Sequence, residues 1–562
     1  MITSLLSAAT AAATTTSNAA DKVAIPPIRY LAILPPIIMI GGAVVLLAIS
    51  SLVSRPLRVR VSTIGSIVIS GGALGISIWQ WCDVRAHGPH TYVAHAVVMD
   101  GFSVLITMLV ATAMLLTALV ADGYLRREGI TGGEFHVLAL VSASGAMVMG
   151  TANDLIIIFL GLEILSIALY VLTAFNHKQA SSGEAALKYF LLGGFSSAIF
   201  VYGIALTYGA TGSTNLTQIA DFLSKNVLLS NGLLLAGLAL MLVGFSFKIA
   251  AVPFHMWTPD VYEGAPTPVT GFMAAVAKAG AFAALLRVLF SSLGVISADW
   301  KPIIYGLAVL SLVVGSVVAL RQRDVKRMLA YSSINHAGFI LLGVESATSR
   351  GVSASLYYLV AYMFMTIGSF AIVTVLGRQG DADHDLTRYR GLAGRQPLLA
   401  LAFAILLLAQ AGAPFTTGLW AKLQVVLATV SAGAVPLGVI AMVTAVIAAF
   451  FYLRVAILMY VAQTPGDEGS AVSAAAPTGG GTAVGWATPE GVSGTVTTLN
   501  AELLLTGDAP APEGEETPSV VKIPLLTSLA IWTCVGATVL FGIIPAPLLD
   551  LAHHASLLFL AH

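Results

Sequence analysis

Five ionisable side chains lie inside long apolar runs of this sequence. They are Glu163 in NDLIIIFLGLEILSIALYVL, Lys188 in SSGEAALKYFLLGG, Lys248 in LVGFSFKIAAVPFHMW, Lys278 in TPVTGFMAAVAKAGAFAALL and Lys422 in AQAGAPFTTGLWAKLQVVLATV. An isolated charge at the centre of a membrane-spanning helix costs about 2.5–3.5 kcal/mol. Several left unpaired would rival the whole stability of a domain, about 5–15 kcal/mol. These groups must therefore face the interior of a bundle and meet one another or water. The chemistry they support is proton transfer. Burial without a counter-ion favours the neutral form of a lysine, so Lys278, with small neighbours and no carboxylate on its own run, can exchange protons that an exposed lysine would hold. Glu163, about ten residues into its run, falls near the bilayer middle at 1.5 Å per residue and reads either as a member of a structural ion pair or, with lysines on neighbouring helices, as a proton-carrying carboxylate. Titratable lysines suit protons better than metal cations, which prefer oxygen ligands.

The surroundings of these residues sharpen the reading. Pro253 follows Lys248 by five residues and offers no N–H to the Ile249 carbonyl. A freed carbonyl at membrane depth is tolerated where it is buried in protein or lines a wet cavity, and a broken helix beside a buried cation is a recurring ion-site device in transporters. Pro414 repeats the interruption ahead of Lys422, which hints at two related halves. Glu184 precedes Lys188 by four residues, the favoured order for a helical ion pair, so Lys188 reads either as an interfacial salt bridge or as a functional group. His255, just past the first break, and His336, beside Ser332, Ser333 and Asn335, are candidate relay groups or packed polar side chains. Asp260 and Glu263 read as solvated caps, and Arg454 as a side chain that snorkels from a helix end.

The elements that must position these groups follow from composition. The chain is 57% hydrophobic and 10% charged, with a mean hydropathy of +0.90; soluble proteins carry about 25% charged residues. The bilayer is therefore most of its solvent. Fourteen apolar runs, at roughly 31–52, 59–82, 99–121, 134–151, 153–174, 184–210, 231–256, 266–292, 301–319, 325–345, 353–377, 397–430, 434–461 and 523–550, are each long enough to span. The expected fold is an all-α polytopic membrane protein of about fourteen transmembrane helices, with helices 7 and 12 broken. Alternate loops hold fourteen basic residues on one side (Arg55 to Arg60, Arg126 and Arg127, Lys178, Arg321 to Arg327, Arg378 to Arg395) and six on the other. That bias places both termini outside. Residues 1–30 form an N-terminal tail rather than a cleaved signal, and 462–522 form a flexible cytoplasmic linker rich in Gly, Ala, Ser, Thr and Pro. Zero net charge argues against nucleic-acid binding. Cys82 and Cys534 read as packed thiols at helix ends, too few for an iron–sulfur cluster, and no dinucleotide fingerprint or Walker A sequence is present. Energy must come from an ion gradient or a partner.

The blocks GLEILS, GEAALKYFLLG, GFSFKIAAVPFHMWTPDVYEGAPTPV, AKAG, RDVKRMLAYSSINHAGF and GAPFTTGLWAKL resemble the antiporter-like membrane subunits of bacterial respiratory complex I, the NADH–quinone oxidoreductase. The similarity runs from about residue 30 to 460 and resumes over 523–550, and VPFHMWTPDVYEGAPTPV is its most specific part. The resemblance implies N-terminal helices 1–4 over 31–151, two inverted five-helix repeats over 134–292 (helices 4–8) and 301–461 (helices 9–13), and a last helix with its tail over 523–562. It implies that Glu163 and Lys248 form a coupled pair, that Lys188 modulates it, that Lys278 relays protons to the second half, and that Lys422 serves that half. It further implies proton translocation coupled to quinone reduction, in the bacterial plasma membrane, among other complex I membrane subunits including neighbouring antiporter-like ones. No redox centre or cofactor is expected in this chain; NADH, FMN, iron–sulfur clusters and quinone would belong to the wider complex. The alternative is a subunit of a multi-subunit cation/proton antiporter, which shares the lysine pattern.

Overall fold

The computed structural model describes residues 30–226, 231–381, 384–461 and 522–555. The expected tail and linker lie outside the described residues, apart from Tyr30 and Lys522. Twelve helices among the described residues are long and apolar enough to cross a membrane. They are α1 (Leu34–Leu52), α2 (Arg55–His87), α3 (Gly101–Arg127), α4 (Glu134–Thr151), α5 (Leu155–Thr173), α6 (Ala180–Thr211), α8 (Gly232–Ile249), α10 (Thr267–Ser291), α11 (Ser297–Ala319), α13 (Ser349–Leu376), α16 (Val435–Val461) and α17 (Leu525–Ile543). Between them lie the surface helix α7 (Leu216–Lys225), the short α9 (Trp257–Gly264) and, near the end, α18 (Ala546–His554).

One expected span is more polar than the rest, and the two expected to be broken, helices 7 and 12, are divided. The 325–345 run is α12 (Val325–Glu345), a helix whose Lys326, Arg327, Asn335, His336 and Glu345 set it apart from the apolar twelve. The 397–430 run is two 15-residue helices, α14 (Pro397–Ala411) and α15 (Thr417–Ser431). The 231–256 run is also divided: α8 stops at Ile249 and the chain resumes as α9. A small antiparallel hairpin, His90–Tyr92 paired with Val97–Met99, is an addition to the all-helical expectation. Cys534 is buried within α17 rather than at a helix end, and Cys82 is exposed.

Helices α3, α10 and α13 pack on one another at the centre of the bundle, where the apolar stretch of α10 is wholly buried. Helices α1, α2 and α6 turn most of their apolar side chains outward, as helices facing lipid or a partner must. Small residues let the inner helices approach closely. A Cβ on Gly145 of α4 would lie 2.5 Å from the Leu165 nitrogen of α5, and one on Gly161 would lie 2.9 Å from the Gly145 carbonyl oxygen. This contact seats the helix that carries Glu163. α12 packs against both α9 and α15, the second segments of the two interrupted helices.

One end of the bundle is tied together by Asp381. Its carboxylate accepts from the Thr267 backbone N–H at 2.8 Å and the Thr267 hydroxyl at 2.8 Å, at the start of α10. It also accepts from Lys326 of α12 at 3.2 Å, and His384 lies 3.4 Å away. Lys326, expected as a loop cation, is instead fully buried and donates to the Ala265 carbonyl at 2.8 Å. Arg127, at the end of α3, donates to the Thr374 and Gly377 carbonyls at 2.5 and 2.7 Å. Burial alone would raise the Asp381 carboxyl, yet Lys326, His384 and Thr267 outweigh it and hold the group well below the usual carboxylate range. A carboxyl depressed on folding stabilises the fold at every pH above its unfolded value near 3.9 and loses that contribution as pH falls through the folded value. Asp381→Asn strands the Lys326 charge and should cost about 3–5 kcal/mol. A lowered thermal midpoint of the detergent-solubilised protein, persisting from pH 8 down to about pH 5, is the expected reading.

Candidate functional site within the membrane

Glu163 is the ninth residue of α5, whose start is set by Asp154 accepting from the Ile156 N–H at 2.8 Å. Lys248 occupies the last turn of α8 and is 4% exposed. The charge of Glu163 acts on Lys248, but the two make no direct ion pair: Glu163 Oε1 and Lys248 Nζ each lack a hydrogen-bond partner among the described residues. The ammonium instead faces the rings of Tyr189, Tyr170 and Phe247 at 5.2, 5.3 and 5.7 Å. The break falls at Ala250, three residues before the proline that signalled it. Ala250 adopts a left-handed φ of 61°, and the Ala251 N–H returns to the Ser246 carbonyl at 2.8 Å, closing the helix in a Schellman turn. The Phe247 carbonyl accepts from the Trp257 indole N–H at 2.9 Å, and the Val252 N–H donates to Ser311 of α11 at 2.9 Å. His255 lies half-buried in the connector between α8 and α9.

Lys188 pairs with Glu184 at 2.7 Å, as its spacing predicts, and with Asp260 of α9 at 2.8 Å. Asp260 also meets Arg327 of α12 at 3.1 Å, and Arg327 meets Glu263 at 2.6 Å. Asp260 and Glu263 are thus members of an ion network linking α6, α9 and α12, not solvated caps. Sequence spacing gives only the Glu184–Lys188 pair, because the other partners come from distant helices.

Lys278 begins the regular part of α10 just after a π-helical turn over Met273–Ala277. Such turns re-aim side chains and cluster at functional sites. Its ammonium donates to the Ser333 carbonyl and hydroxyl, both at 2.5 Å, and lies 5.2 Å from the Tyr362 ring centre. Tyr362 donates to the same Ser333 hydroxyl at 2.8 Å. One turn along α12, His336 Nδ1 meets the Tyr358 hydroxyl at 2.7 Å and Nε2 meets the Tyr452 hydroxyl at 3.1 Å. Tyr452 bonds Ser332, which reaches Gln410 at 3.2 Å. The charges of Lys422 and Lys278 both act on His336. Lys422 donates to the Ala411 carbonyl, the last of α14, at 2.8 Å and faces the Phe339 ring at 5.0 Å. Gly412, at φ 94°, forms this second break; a Cβ there would lie 3.1 Å from the Lys422 side chain.

The fold therefore gathers Glu163 with Lys248, and Lys278 with His336 and Lys422, while Lys188 belongs to the ionic network and His255 to neither group. Hydroxyl and imidazole groups both donate and accept, so the Ser333, Tyr358, Tyr362 and Tyr452 side chains give the second group a hydrogen-bonded setting able to pass protons. Sequence reasoning missed these tyrosines. Tyr358 and Tyr362 stand four apart on one face of α13, but nothing in that spacing says that the face meets α12. It also missed the buried pair Arg287–Asp100, at 2.5 Å, which ties α10 to the start of α3. Arg454 reaches the Leu320 carbonyl at 3.2 Å. No group of three or more metal-ligating side chains occurs among the described residues.

Comparison with known proteins places this architecture. The family described as NADH:quinone oxidoreductase/Mrp antiporter, TM, matches residues 152–448. NADH-quinone oxidoreductase subunit N of Trichlorobacter lovleyi is 46% identical over 66% of this chain and 76% of its own length. The subunit N of Acidothermus cellulolyticus is 38% identical over 96% of this chain and 98% of its own. Among solved structures, a chain of respiratory complex I from Thermus thermophilus is 30% identical, with a TM-score of 0.71 over 92% of this chain and 99% of that one. A chain of the Mrp complex from Dietzia sp. DQ12-45-1b, 22% identical, shares the fold, with a TM-score of 0.75 over 93% and 97%. The multi-pass helical fold, the matched region with its two interrupted helices, and full-length similarity to subunit N agree: this chain belongs to the NADH:quinone oxidoreductase/Mrp antiporter membrane family.

Proposed function

We propose that this chain is the proton-translocating subunit N of a bacterial NADH:quinone oxidoreductase, and that Glu163, Lys248, Lys278, His336 and Lys422 carry its protons. The observation that supports this most is that Lys248, Lys278 and Lys422 are all buried in the bundle with no carboxylate in ion-pair contact among the described residues. Charges kept solely to hold helices together would be paired, as Arg287 and Asp100 are. A nearby carboxylate favours the ammonium of Lys248 and burial favours the amine, so the separation of Glu163 and Lys248 decides whether the lysine keeps its proton. Lys278 takes up the proton for the second half, the hydroxyls of Ser333 and the tyrosines around His336 pass it on, and Lys422 holds it beside the second break. Lys188, fixed by Glu184 and Asp260, modulates the first pair from the ionic network, and His255, half-buried in the connector after the first break, stands outside both groups as a candidate relay only.

The two repeats span 134–292 and 301–461, and the bundle end with Arg127, Lys178 and Asp381 faces the cytoplasm, with both termini outside in the plasma membrane. Redox energy enters through other subunits, which hold the NADH, FMN, iron–sulfur and quinone sites. The outward apolar faces of α2 and α6 are available to lipid and neighbouring membrane subunits.

Lys248→Met should lower quinone-coupled NADH oxidation and proton uptake by inverted vesicles by roughly tenfold or more, with NADH oxidation by a soluble acceptor intact. Glu163→Gln should show a similar defect, and the double variant should fall far short of the sum. Wild-type pumping by a fully assembled Lys248→Met complex would leave these charges a scaffold.

The orientation is open to a separate check. In a background with Cys82→Ser, Ala94→Cys in the hairpin connection should react with a membrane-impermeant maleimide in intact cells, and Thr387→Cys should not. The reverse pattern would invert the topology.

A further inference from the structure

The environment of Lys248 is aromatic, and it is assembled from four helices. Tyr170 comes from α5, Tyr189 from α6 and Phe247 from α8 itself; their ring centres lie 5.3, 5.2 and 5.7 Å from the ammonium. Each is inside the range, about 6 Å, over which a cation is drawn to a ring face. Trp257, the first residue of α9, backs the group. It stacks on Tyr189 with centroids 4.5 Å apart and planes 11° from parallel, and its indole N–H holds the Phe247 carbonyl at 2.9 Å. Tyr170 meets Tyr189 edge to face at 4.8 Å. The helix break is what brings Trp257 back against Phe247, ten residues earlier in the chain. Gly193 leaves room for Tyr170: a side chain there would collide with its hydroxyl.

This is more than apolar packing. The Tyr189 hydroxyl has no hydrogen-bond partner among the described residues, so what Tyr189 offers its surroundings is its ring. Lys248 Nζ and Glu163 Oε1 likewise have no hydrogen-bond partner among the described residues, so the lysine does not sit on the carboxylate. A ring face attracts an ammonium and has little hold on a neutral amine.

We propose that Tyr170, Tyr189 and Phe247 form an aromatic cage that is the second resting place of the Lys248 ammonium, alternative to contact with Glu163. The cage holds the lysine off the carboxylate while it is charged and lets it go once the proton has left. Glu163 and Lys248 can thus separate without leaving a buried cation unsupported. Tyr170, Tyr189 and Phe247 are positioning residues in this scheme, and Trp257 fixes their geometry. The inference rests on the proton-carrying role of Lys248 given above.

The test varies the electrostatics of one ring and keeps its shape. Position 189 is replaced in the assembled complex by phenylalanine and then by mono-, di- and trifluorophenylalanine, which progressively withdraw electron density from the face. Quinone-coupled NADH oxidation and proton uptake are measured in inverted vesicles, normalised to complex assembled on a native gel. Tyr189→Phe should stay within about twofold of wild type, and each added fluorine should lower the rate further, to about tenfold below wild type at three. A packing role predicts the opposite trend, because fluorinated rings stack better on the electron-rich indole of Trp257. Rates that are flat or rise with fluorine number, with Lys248→Met inactive, would overturn the cage and leave the proton-carrying reading standing. Normal pumping by Lys248→Met would overturn both.

Discussion

In the hydrocarbon of a bilayer, a helix that stops midway leaves carbonyls with no water to meet them, and this chain stops two helices there: α8 at Ile249 and α14 at Ala411. Each end is closed by a left-handed residue and a returning N–H, at Ala250 and Gly412. Each also stands beside a lysine. Lys248 lies in the last turn of α8, and Lys422 reaches back from α15 to the terminal carbonyl of α14. The C-terminal end of a helix carries partial negative charge, so the interrupted backbone and the buried cation each lower the cost of the other. The lysine precedes the break in one half and follows it in the other, yet both serve the same kind of helix end.

The two interrupted helices are linked by α12, which packs on the second segment of each. Arg327 engages Asp260 on the side of the first break, Ser333 receives Lys278, and His336 sits where the charges of Lys278 and Lys422 both act. Lys326 and Asp381 hold the start of this helix against the start of α10, so the meeting of Lys278 and Ser333 is set from the bundle end. A helix this polar can be accommodated because it is almost wholly surrounded by protein.

The multi-pass architecture was plain from hydropathy, and Glu163 and the buried Lys248, Lys278 and Lys422 were plain because each interrupts an apolar run. The breaks were signalled by Pro253 and Pro414, but the helices end a few residues earlier, where the local hydrogen-bond closure is completed. Interactions between helices were not legible. Lys326 and Arg327 look alike beside a predicted loop, yet one is fully buried under Asp381 and the other joins the half-exposed network. The tyrosines around Lys248 and His336 look like ordinary membrane aromatics until the facing helices are known.

In the proposed function, protons pass between the two interrupted helices through Lys278 and the α12 hydroxyls. The direct measurement is the number of protons taken up per quinone reduced by inverted vesicles containing fully assembled Lys278→Met complex. A reduced ratio is expected, with electron entry from NADH unimpaired. An unchanged ratio at the wild-type rate would contradict it.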